Sequence, residues 1–383
     1  MERKIRILQL IESMNDGGAQ RVVLNYLKSF NDDPDIEMKL LVYHDLSDSF
    51  CNRIINEKKY NVDYLFKNLH NRYIRKIVEI LLGKILLVKY IKKFKPDIVH
   101  VHISPFLVIC LKSIVKCKVP IKFDTLHSNP YRFTGKTLKY IKNAFEKYNF
   151  IGICLTNEQA KMAVDYYGIK KYEIVRNGID INAIKKKIIT KEQARKKLGL
   201  NNNSFVVGAV GRLNTIKRYD LLIKILKKIL ENNNNAYLVI AGDGPEKNNL
   251  YNIAKKLKIE ERVKFLGNID NTIDVYCAID VFVMTSESEA SPLVLVESQI
   301  CGNRCVISDG VPSESIVTDH VIKMKRNASI NDWCSAIIDE KKEGHKVLNI
   351  DEYDINIAAK NIKKVYLKYW KEYDENGNNK KSF

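Results

Sequence analysis

Short apolar runs alternate with longer stretches of helical period along almost the whole chain, and the pattern starts afresh halfway. This alternation constrains the fold more than any other feature. Strands that are apolar throughout must be covered on both faces, and parallel strands joined by helices achieve that. In the first half, IRILQLI (5–11), EMKLLVY (37–43), DIVHVHI (97–103), IKFDTL (121–126) and IGICLT (151–156) read as strands. In the second, SFVVGAVG (204–211), AYLVIAG (236–242), VKFLG (263–267), DVFVMTS (280–286) and RCVISDG (304–310) do so. Helices are expected between them, for example over 19–29, 218–230, 246–257 and 293–301. A last amphipathic helix is expected over 355–373, followed by a disordered tail, DENGNNKKSF, with no apolar residue before the final Phe383. Each half opens as strand, glycine-containing loop and helix. Two Rossmann-like α/β domains in tandem satisfy the pattern, with a boundary near 178–203, where KKKIITKEQARKK and the turn run NNNS interrupt it.

Composition agrees and excludes several classes. The 383 residues suffice for two domains, and 45% hydrophobic with 28% charged residues is a globular balance. No segment reaches the ~18 uninterrupted apolar residues of a membrane span; the best, ILLGKILLVKYI (80–91), is cut by Lys84 and Lys89. The N-terminal stretch lacks a small-residue cleavage site and carries Glu12 and Asp16, so a signal peptide is not expected. The eight cysteines form no CxxC pair, and Cys301 and Cys305 have no second ligand pair nearby. Reduced, mostly buried thiols in an intracellular protein are expected. The formal charge of +19 is concentrated: between Lys67 and Lys147, 18 Lys and Arg stand against 4 acidic residues. Within that stretch Tyr73, Ile77, Ile80, Leu81, Leu87, Val88 and Ile91 recur at helical spacing, flanked by Arg72, Arg75, Lys76, Lys89, Lys92 and Lys93. A basic amphipathic helix fits an anionic membrane surface better than nucleic acid; a core helix with a solvated lysine face is the other reading.

Chemistry in doubly wound domains gathers where strands end and helices begin. GGAQR (17–21) follows the first strand; it is not GxGxxG, which disfavours a nicotinamide dinucleotide, and it suits either a phosphate or a plain turn. GRLNTIK (211–217) places Arg212 and Lys217 in the equivalent loop of the second half, where two cations can clamp a diphosphate. GDGP (242–245) and RNGID (176–180) read as turns. EASPLVLVE (289–297) sets Glu289 in a loop before a helix and Glu297 inside it, with Pro292 suited to the first turn. The free N–H groups of Leu293 and Val294 can hold phosphate there. Paired carboxylates also suit a glycosidase, but a cationic phosphate site favours transfer from a phosphorylated sugar. His102 and His127 both follow strands.

GGAQR, VHIS, TLHS, NGID, GRLNTIK, GDGP, VKFLG and EASPLVLVESQICG occur in the order seen in retaining glycosyltransferases of the GT-B fold, the Glu-x7-Glu group related to glycosyltransferase family 4. CVISDGVPSE and the stretch from HSNPYRF resemble the capsular and exopolysaccharide branch. The resemblance covers about residues 3–320. It implies two Rossmann-like domains facing a cleft: an acceptor-side domain of 1–178 with 352–383, whose last helix crosses back, and a donor-binding domain of 179–351. Arg212 and Lys217 then match the pair on the donor diphosphate, Glu297 the carboxylate on the ribose, and Glu289 the glutamate near the transferred sugar. His127 matches the histidine lining the reaction centre, and Gly17 and Gly18 the loop over the diphosphate; His102 falls on the acceptor side. No metal or other cofactor is implied, the substrate being a nucleotide-diphosphate sugar, most commonly a UDP-sugar. A lipid-linked or oligosaccharide acceptor, an anionic membrane surface as partner, no nucleic acid, and a cytoplasmic location peripheral to the inner face of the membrane follow from the same resemblance. There are departures: Glu289-Ala290 for Glu-Gly, Lys217-Arg218 for Lys-Gly or Lys-Asn, Gln20 for the common glutamate, and Arg176 for the proline before Asn177. A nucleotide-sugar epimerase shares the fold but does not need this arrangement. A basic nucleic-acid protein would need aromatic platforms beyond Tyr73, Tyr90 and Tyr131.

Overall fold

The computed structural model describes residues 3–14, 17–45, 50–58, 60–67, 72–339 and 346–379. The chain divides into two units, Met1–Gly178 with Ile355–Phe383, and Ile179–Asp354. The first runs β1 (Ile5–Ser13), α1 (Gly18–Phe30), β2 (Ile36–His44), α2 (Phe50–Lys58), β3 (Val62–Phe66), α3 (Arg72–Phe94), β4 (Ile98–His102), α4 (Leu107–Lys116), β5 (Ile121–Thr125), α5 (Gly135–Glu146), β6 (Ile151–Cys154), α6 (Asn157–Tyr167) and β7 (Tyr172–Ile174). The second runs α7 (Ile181–Lys186), α8 (Lys191–Leu198), β8 (Phe205–Val210), α9 (Tyr219–Ile229), β9 (Ala236–Ala241), α10 (Lys247–Lys256), β10 (Val263–Gly267), α11 (Ile273–Ala278), β11 (Val281–Met284), α12 (Leu293–Ile300), β12 (Arg304–Ser308), β13 (Val321–Met324) and α13 (Ile330–Ile338). The chain then returns to the first unit as α14 (Ile355–Asn379).

All ladders between these strands are parallel. The sheet orders are β3-β2-β1-β4-β5-β6-β7 and β10-β9-β8-β11-β12-β13. In each, the chain winds outward on one side of its opening strand and then resumes on the other, so the order reverses between β1 and β4 and between β8 and β11. Loops leaving the carboxyl ends of such a pair diverge and open a crevice. The interior strands are the apolar runs of the sequence; β4, for instance, is buried at every residue. The strands that sequence patterning missed, β3, β7 and β13, are three of the four sheet edges; the fourth, β10, is the expected run VKFLG. The three missed strands are short and largely half-exposed, so no continuous apolar run marks them.

The charged segment near 178–203, where the boundary was expected, forms α7 and α8, which belong to the second unit. A capping box of Thr190 and Gln193 starts α8, and Gly199 in the left-handed region ends it. Its Arg195 is buried, donating to the Ala278 carbonyl at 2.9 Å and to Asp280 at 2.7 Å, so a residue type that reads as solvated ties the segment down. The tail expected to be disordered continues α14 to Asn379, because extending a formed helix costs far less than nucleating one; residues 380–383 lie outside the described residues. On α14, Ile355, Ala358, Ile362 and Tyr366 form one buried stripe. A Cβ on Gly178 would stand 2.7 Å from both the Ile355 Cα and the Ala358 Cβ, so the turn at the end of the first unit admits the helix only because it carries glycine. Lys363 pairs with Asp33 and Asp35 at 2.8 and 2.7 Å, and Arg3 lies over the Trp370 ring at 5.2 Å.

Asp124, on β5, is fully buried beside the Ser104 hydroxyl. Burial pushes its carboxyl up to about 8, so it is held neutral at neutral pH. The folded chain therefore keeps a proton that the unfolded chain loses near 3.8. Its contribution to stability is fully present below that value and declines as pH rises to about 8. Asp124→Asn should abolish this dependence. Relative to the variant, the native chain should lose up to about 1.4 kcal/mol per pH unit between about pH 4 and pH 8, then level off. Urea unfolding of both chains across this range measures it; parallel stability profiles would contradict the assignment.

Candidate active site

In the second unit, the loop leaving β8 makes a sharp turn at Gly211, whose φ of 148° a side chain rarely adopts. Arg212 follows, exposed and without an ion pair among the described residues. The GDGP turn, expected to be only a turn, buttresses this loop: Leu213 N–H donates to the Asp243 carbonyl at 3.0 Å and Glu246 N–H to the Leu213 carbonyl at 3.1 Å. Asn214 caps the next short turn by accepting from Lys217 N–H. The Lys217 ammonium, largely buried, pairs with Glu289 at 2.5 Å. Arg218 adopts φ 53°, a left-handed conformation that glycine and asparagine enter most readily. Here the arginine is held instead by Glu287 and, at 3.3 Å, by Asp220.

The loop after β11 brings up the acids. Glu289 N–H donates to the Gly310 carbonyl at 2.9 Å, and a Cβ on Gly310 would lie 2.3 Å from the Glu287 carbonyl oxygen. The segment then enters α12 through Pro292, with no side-chain cap. Leu295 N–H bonds back to the Pro292 carbonyl, while Leu293 and Val294 are the first two helical positions, whose N–H groups have no intrahelical acceptor. Glu297, on α12, is buried and accepts from the Tyr276 hydroxyl at 3.0 Å. Tyr276 carries no sequence signal as its partner. Arg212, Lys217, Glu289 and the start of α12 thus gather at the reversal between β8 and β11. A cavity of about 440 Å3 lies at the opposite edge, lined by Phe205, Asp280 and Arg304 near the strand starts, together with Cys277 and Cys301.

In the first unit, β1 leads into Gly17 and Gly18, and α1 begins at Gly18. A Cβ on Gly17 would stand 2.4 Å from the Gln20 carboxamide, which itself donates to the Ser13 carbonyl at 3.2 Å. His102 ends β4 and His127 follows β5, and the fold joins them, Nδ1 of His102 lying 3.0 Å from Nε2 of His127. Behind them runs a buried chain that sequence reading missed. His102 Nε2 lies 2.6 Å from Gln9 Oε1, and Gln9 Nε2 donates to the Tyr366 hydroxyl at 2.9 Å. That hydroxyl is 2.6 Å from His100 Nδ1, whose ring reaches Thr125 at 2.6 Å. Tyr366, on α14, is fully buried within the first unit. Burial lowers all three histidines, His100 to about 3, so the rings are neutral near neutral pH. The one signal in the sequence is Gln9, the single amide in the strand run IRILQLI.

The basic helix α3 divides differently from its expected single face. Leu87 and Ile91 are buried, but Tyr73, Ile77, Leu81 and Ile85 are 81%, 58%, 65% and 63% exposed, an apolar stripe at intervals of one turn. Lys84, Lys89, Lys92 and Lys93 are exposed on the same helix. The side chains of Arg72, Arg75, Lys76 and Ile80 lie outside the described residues. No described helix is long and apolar enough to cross a membrane, and no described cluster of three His, Cys, Asp or Glu could hold a metal.

Two parallel-sheet α/β units of seven and six strands resemble those of GT-B glycosyltransferases. The fold matches the crystal structure of Anabaena Alr3699/HepE in complex with UDP and glucose over 95% of this chain and 100% of that one, with a TM-score of 0.77 and 19% identity. It matches that of WaaG, a glycosyltransferase involved in lipopolysaccharide biosynthesis, over 92% and 95%, with a TM-score of 0.68 and 14% identity. The glycosyltransferase family 4 model matches residues 16–183, and the model of the glycosyl transferases group 1 matches residues 190–357. The chain belongs to these glycosyltransferases. Among curated relatives, the Escherichia coli UDP-Gal:alpha-D-GlcNAc-diphosphoundecaprenol alpha-1,3-galactosyltransferase is 32% identical over 59% of this chain and 61% of its own length. The O-antigen biosynthesis glycosyltransferase WclY of Escherichia coli is 28% identical over 80% of this chain and 81% of its own.

Gly310 should be intolerant of a side chain for a reason specific to the site. Gly310→Ala must push the Glu287–Glu289 segment away and so shift the Glu289 carboxylate. Sugar transfer should fall by about a hundredfold, the usual cost of an ångström-scale misplacement, while the thermal unfolding midpoint moves only a few degrees. Unchanged transfer would show that the position of this segment does not matter.

Proposed function

We propose that this chain transfers a sugar, with retention and without a metal ion, from a nucleotide-diphosphate sugar, preferably a UDP-sugar, to a lipid-linked or growing surface-glycan acceptor. The observation that supports it best is the pairing of Lys217 with Glu289, on the loops after β8 and β11 and ahead of the N-terminus of α12, with Arg212 on the same loop as Lys217. Arg212 and Lys217, with the N–H groups of Leu293 and Val294, neutralise the diphosphate as negative charge develops on the leaving nucleotide. The Glu289 carboxylate holds Lys217 in the loop and lies near the transferred sugar. Glu297, oriented by Tyr276, takes the ribose hydroxyls. In the first unit Gly17 and Gly18 supply the loop over the diphosphate, His127 acts at the reaction centre, and His102 stands on the acceptor side. The acceptor hydroxyl attacks on the face from which the nucleotide departs, which preserves the anomeric configuration without a protein nucleophile. The galactosyltransferase relative is named for a diphosphoundecaprenol-linked acceptor, which supports the acceptor class.

Release of nucleoside diphosphate from a panel of sugar donors, with and without undecaprenol-linked acceptor, tests this reading. Transfer should persist in excess chelator. Lys217→Ala should reduce it about a hundredfold, the loss of about 3 kcal/mol of charge stabilisation. Glu297→Ala should chiefly weaken nucleotide affinity, whereas Glu289→Ala should lower turnover and leave that affinity intact. Near-normal transfer by Lys217→Ala, or rescue of a chelated enzyme by manganese, would refute the scheme.

The exposed stripe of α3 gives the acceptor's lipid a counterpart. Each lysine close to an anionic leaflet contributes about 1 kcal/mol, and a shallowly inserted apolar stripe adds reversible anchoring. Peripheral association at a membrane face is therefore part of the proposal. Flotation with phosphatidylglycerol vesicles should show binding that falls steeply with salt and is lost when Lys89 and Lys93 become Glu and Ile77 and Leu81 become Ser, with nucleotide affinity unchanged. Binding indifferent to salt and to these changes would mean that α3 is solvated surface only.

A further inference from the structure

The buried chain behind His127 carries directional information. Each ring is neutral and so has one N–H and one lone pair; a hydrogen bond on one nitrogen therefore dictates the role of the other. The amide of Gln9 sets the direction. Its nitrogen faces the Tyr366 oxygen at 2.9 Å and the Met38 sulfur at 3.9 Å. A thioether has no proton to give, so the side towards Met38 suits N–H and not the amide oxygen. The oxygen is left for His102 Nε2 at 2.6 Å, which must then be the donor. His102 Nδ1 consequently accepts, and His127 Nε2, 3.0 Å away, must donate to it. On the other branch, the Tyr366 oxygen accepts from Gln9 and its proton goes to His100 Nδ1, so that His100 Nε2–H donates to Thr125. Every member is satisfied in this one direction. The Nδ1 of His127 is left with its lone pair and no partner among the described residues.

We propose that Gln9, held by Met38 and Tyr366, fixes the tautomer of His127 through His102, so that His127 offers an unprotonated Nδ1 as hydrogen-bond acceptor to a sugar hydroxyl. Gln9, Met38 and Tyr366 are positioning residues in this scheme, not catalytic ones. A helix that returns from the far end of the chain thereby sets the protonation pattern of a residue on the first sheet. The opposite direction would turn the Gln9 oxygen against sulfur and cap the His127 lone pair with a proton, converting an acceptor into a donor. The inference deepens the proposed function and rests on it for what His127 meets, but not for which nitrogen is protonated.

Long-range nitrogen–proton NMR of the full chain labelled with 15N-histidine reads the tautomers directly. In the native protein His127 should show a protonated Nε2 and a lone-pair Nδ1, and His102 the same. A protonated Nδ1 on His127 overturns the proposal outright, with no variant needed. Tyr366→Phe removes one anchor of the amide, and Met38→Leu, which nearly conserves volume, removes the other. In either, His127 should show both tautomers, and turnover should fall in proportion to the fraction lost, about twofold for an even mixture, while donor KM is unchanged. A single native tautomer in both variants would also overturn it. The reading of His127 as a reaction-centre residue is tested separately: His127→Ala with full transfer would sink that reading and leave the tautomer measurement standing.

Discussion

Parallel pairing puts the carboxyl end of every strand on one edge of a sheet, and most of what this chain offers chemically follows from that. Each sheet is wound first to one side of its opening strand and then to the other. The loops after β1 and β4, and after β8 and β11, therefore part from each other and leave their side chains facing the gap. The candidate groups are concentrated on these loops: Gly17 and Gly18 after β1 and His102 at the end of β4, Arg212 and Lys217 after β8 and Glu289 after β11. A buried strand cannot carry such residues without cost, since each unpaired charge in the sheet would have to be desolvated. The strand ends are the first positions where a charge meets both a fixed backbone and solvent.

Once there, the charges are organised by one another. Lys217 sits largely out of water, a position tolerable for an ammonium because Glu289 stands 2.5 Å away. The Glu289 loop in turn depends on a backbone hydrogen bond to Gly310 and on that residue having no side chain. Arg218 holds a backbone conformation that its side chain disfavours, with Glu287 and Asp220 compensating. Neutral groups play the same part in the first unit, where six residues from β1, β4, β5, the loop after β5 and α14 join in one hydrogen-bonded chain that ends at His127. Burial keeps those rings uncharged, and uncharged rings transmit a donor–acceptor direction that charged ones would lose.

The apolar stripe of α3 shows how far local pattern and tertiary outcome can separate. Its spacing is that of a helix face turned to a core, and in the C-terminal half Leu87 and Ile91 are so turned. In the N-terminal half the same period faces outward. Leu87 and Ile91 share a core with Leu107 and Leu111 of α4 and Phe66 of β3, and that packing distinguishes the two. Gly83 marks the division: a Cβ there would lie 2.2 Å from the Tyr43 hydroxyl.

The sequence by itself determined the α/β class, ten of the strands, the internal repeat and the loops that carry charge. Those are local matters, decided by hydrophobic period and by glycine and proline within a few residues. It also contained the ordered motifs that assign the chain to its family. It did not reveal the edge strands β3, β7 and β13, whose half-solvated faces carry no continuous apolar run, nor that the charged stretch of α8 is a tied-down helix, because the partners of Arg195 lie some eighty residues away. The pairing of Lys217 with Glu289 and of Tyr276 with Glu297 also required the fold, as did the link from Tyr366 to Gln9, which spans nearly the whole chain. Hydrogen bonds and ion pairs act over about 3 Å, whatever the separation along the chain, and only tertiary structure converts one distance into the other.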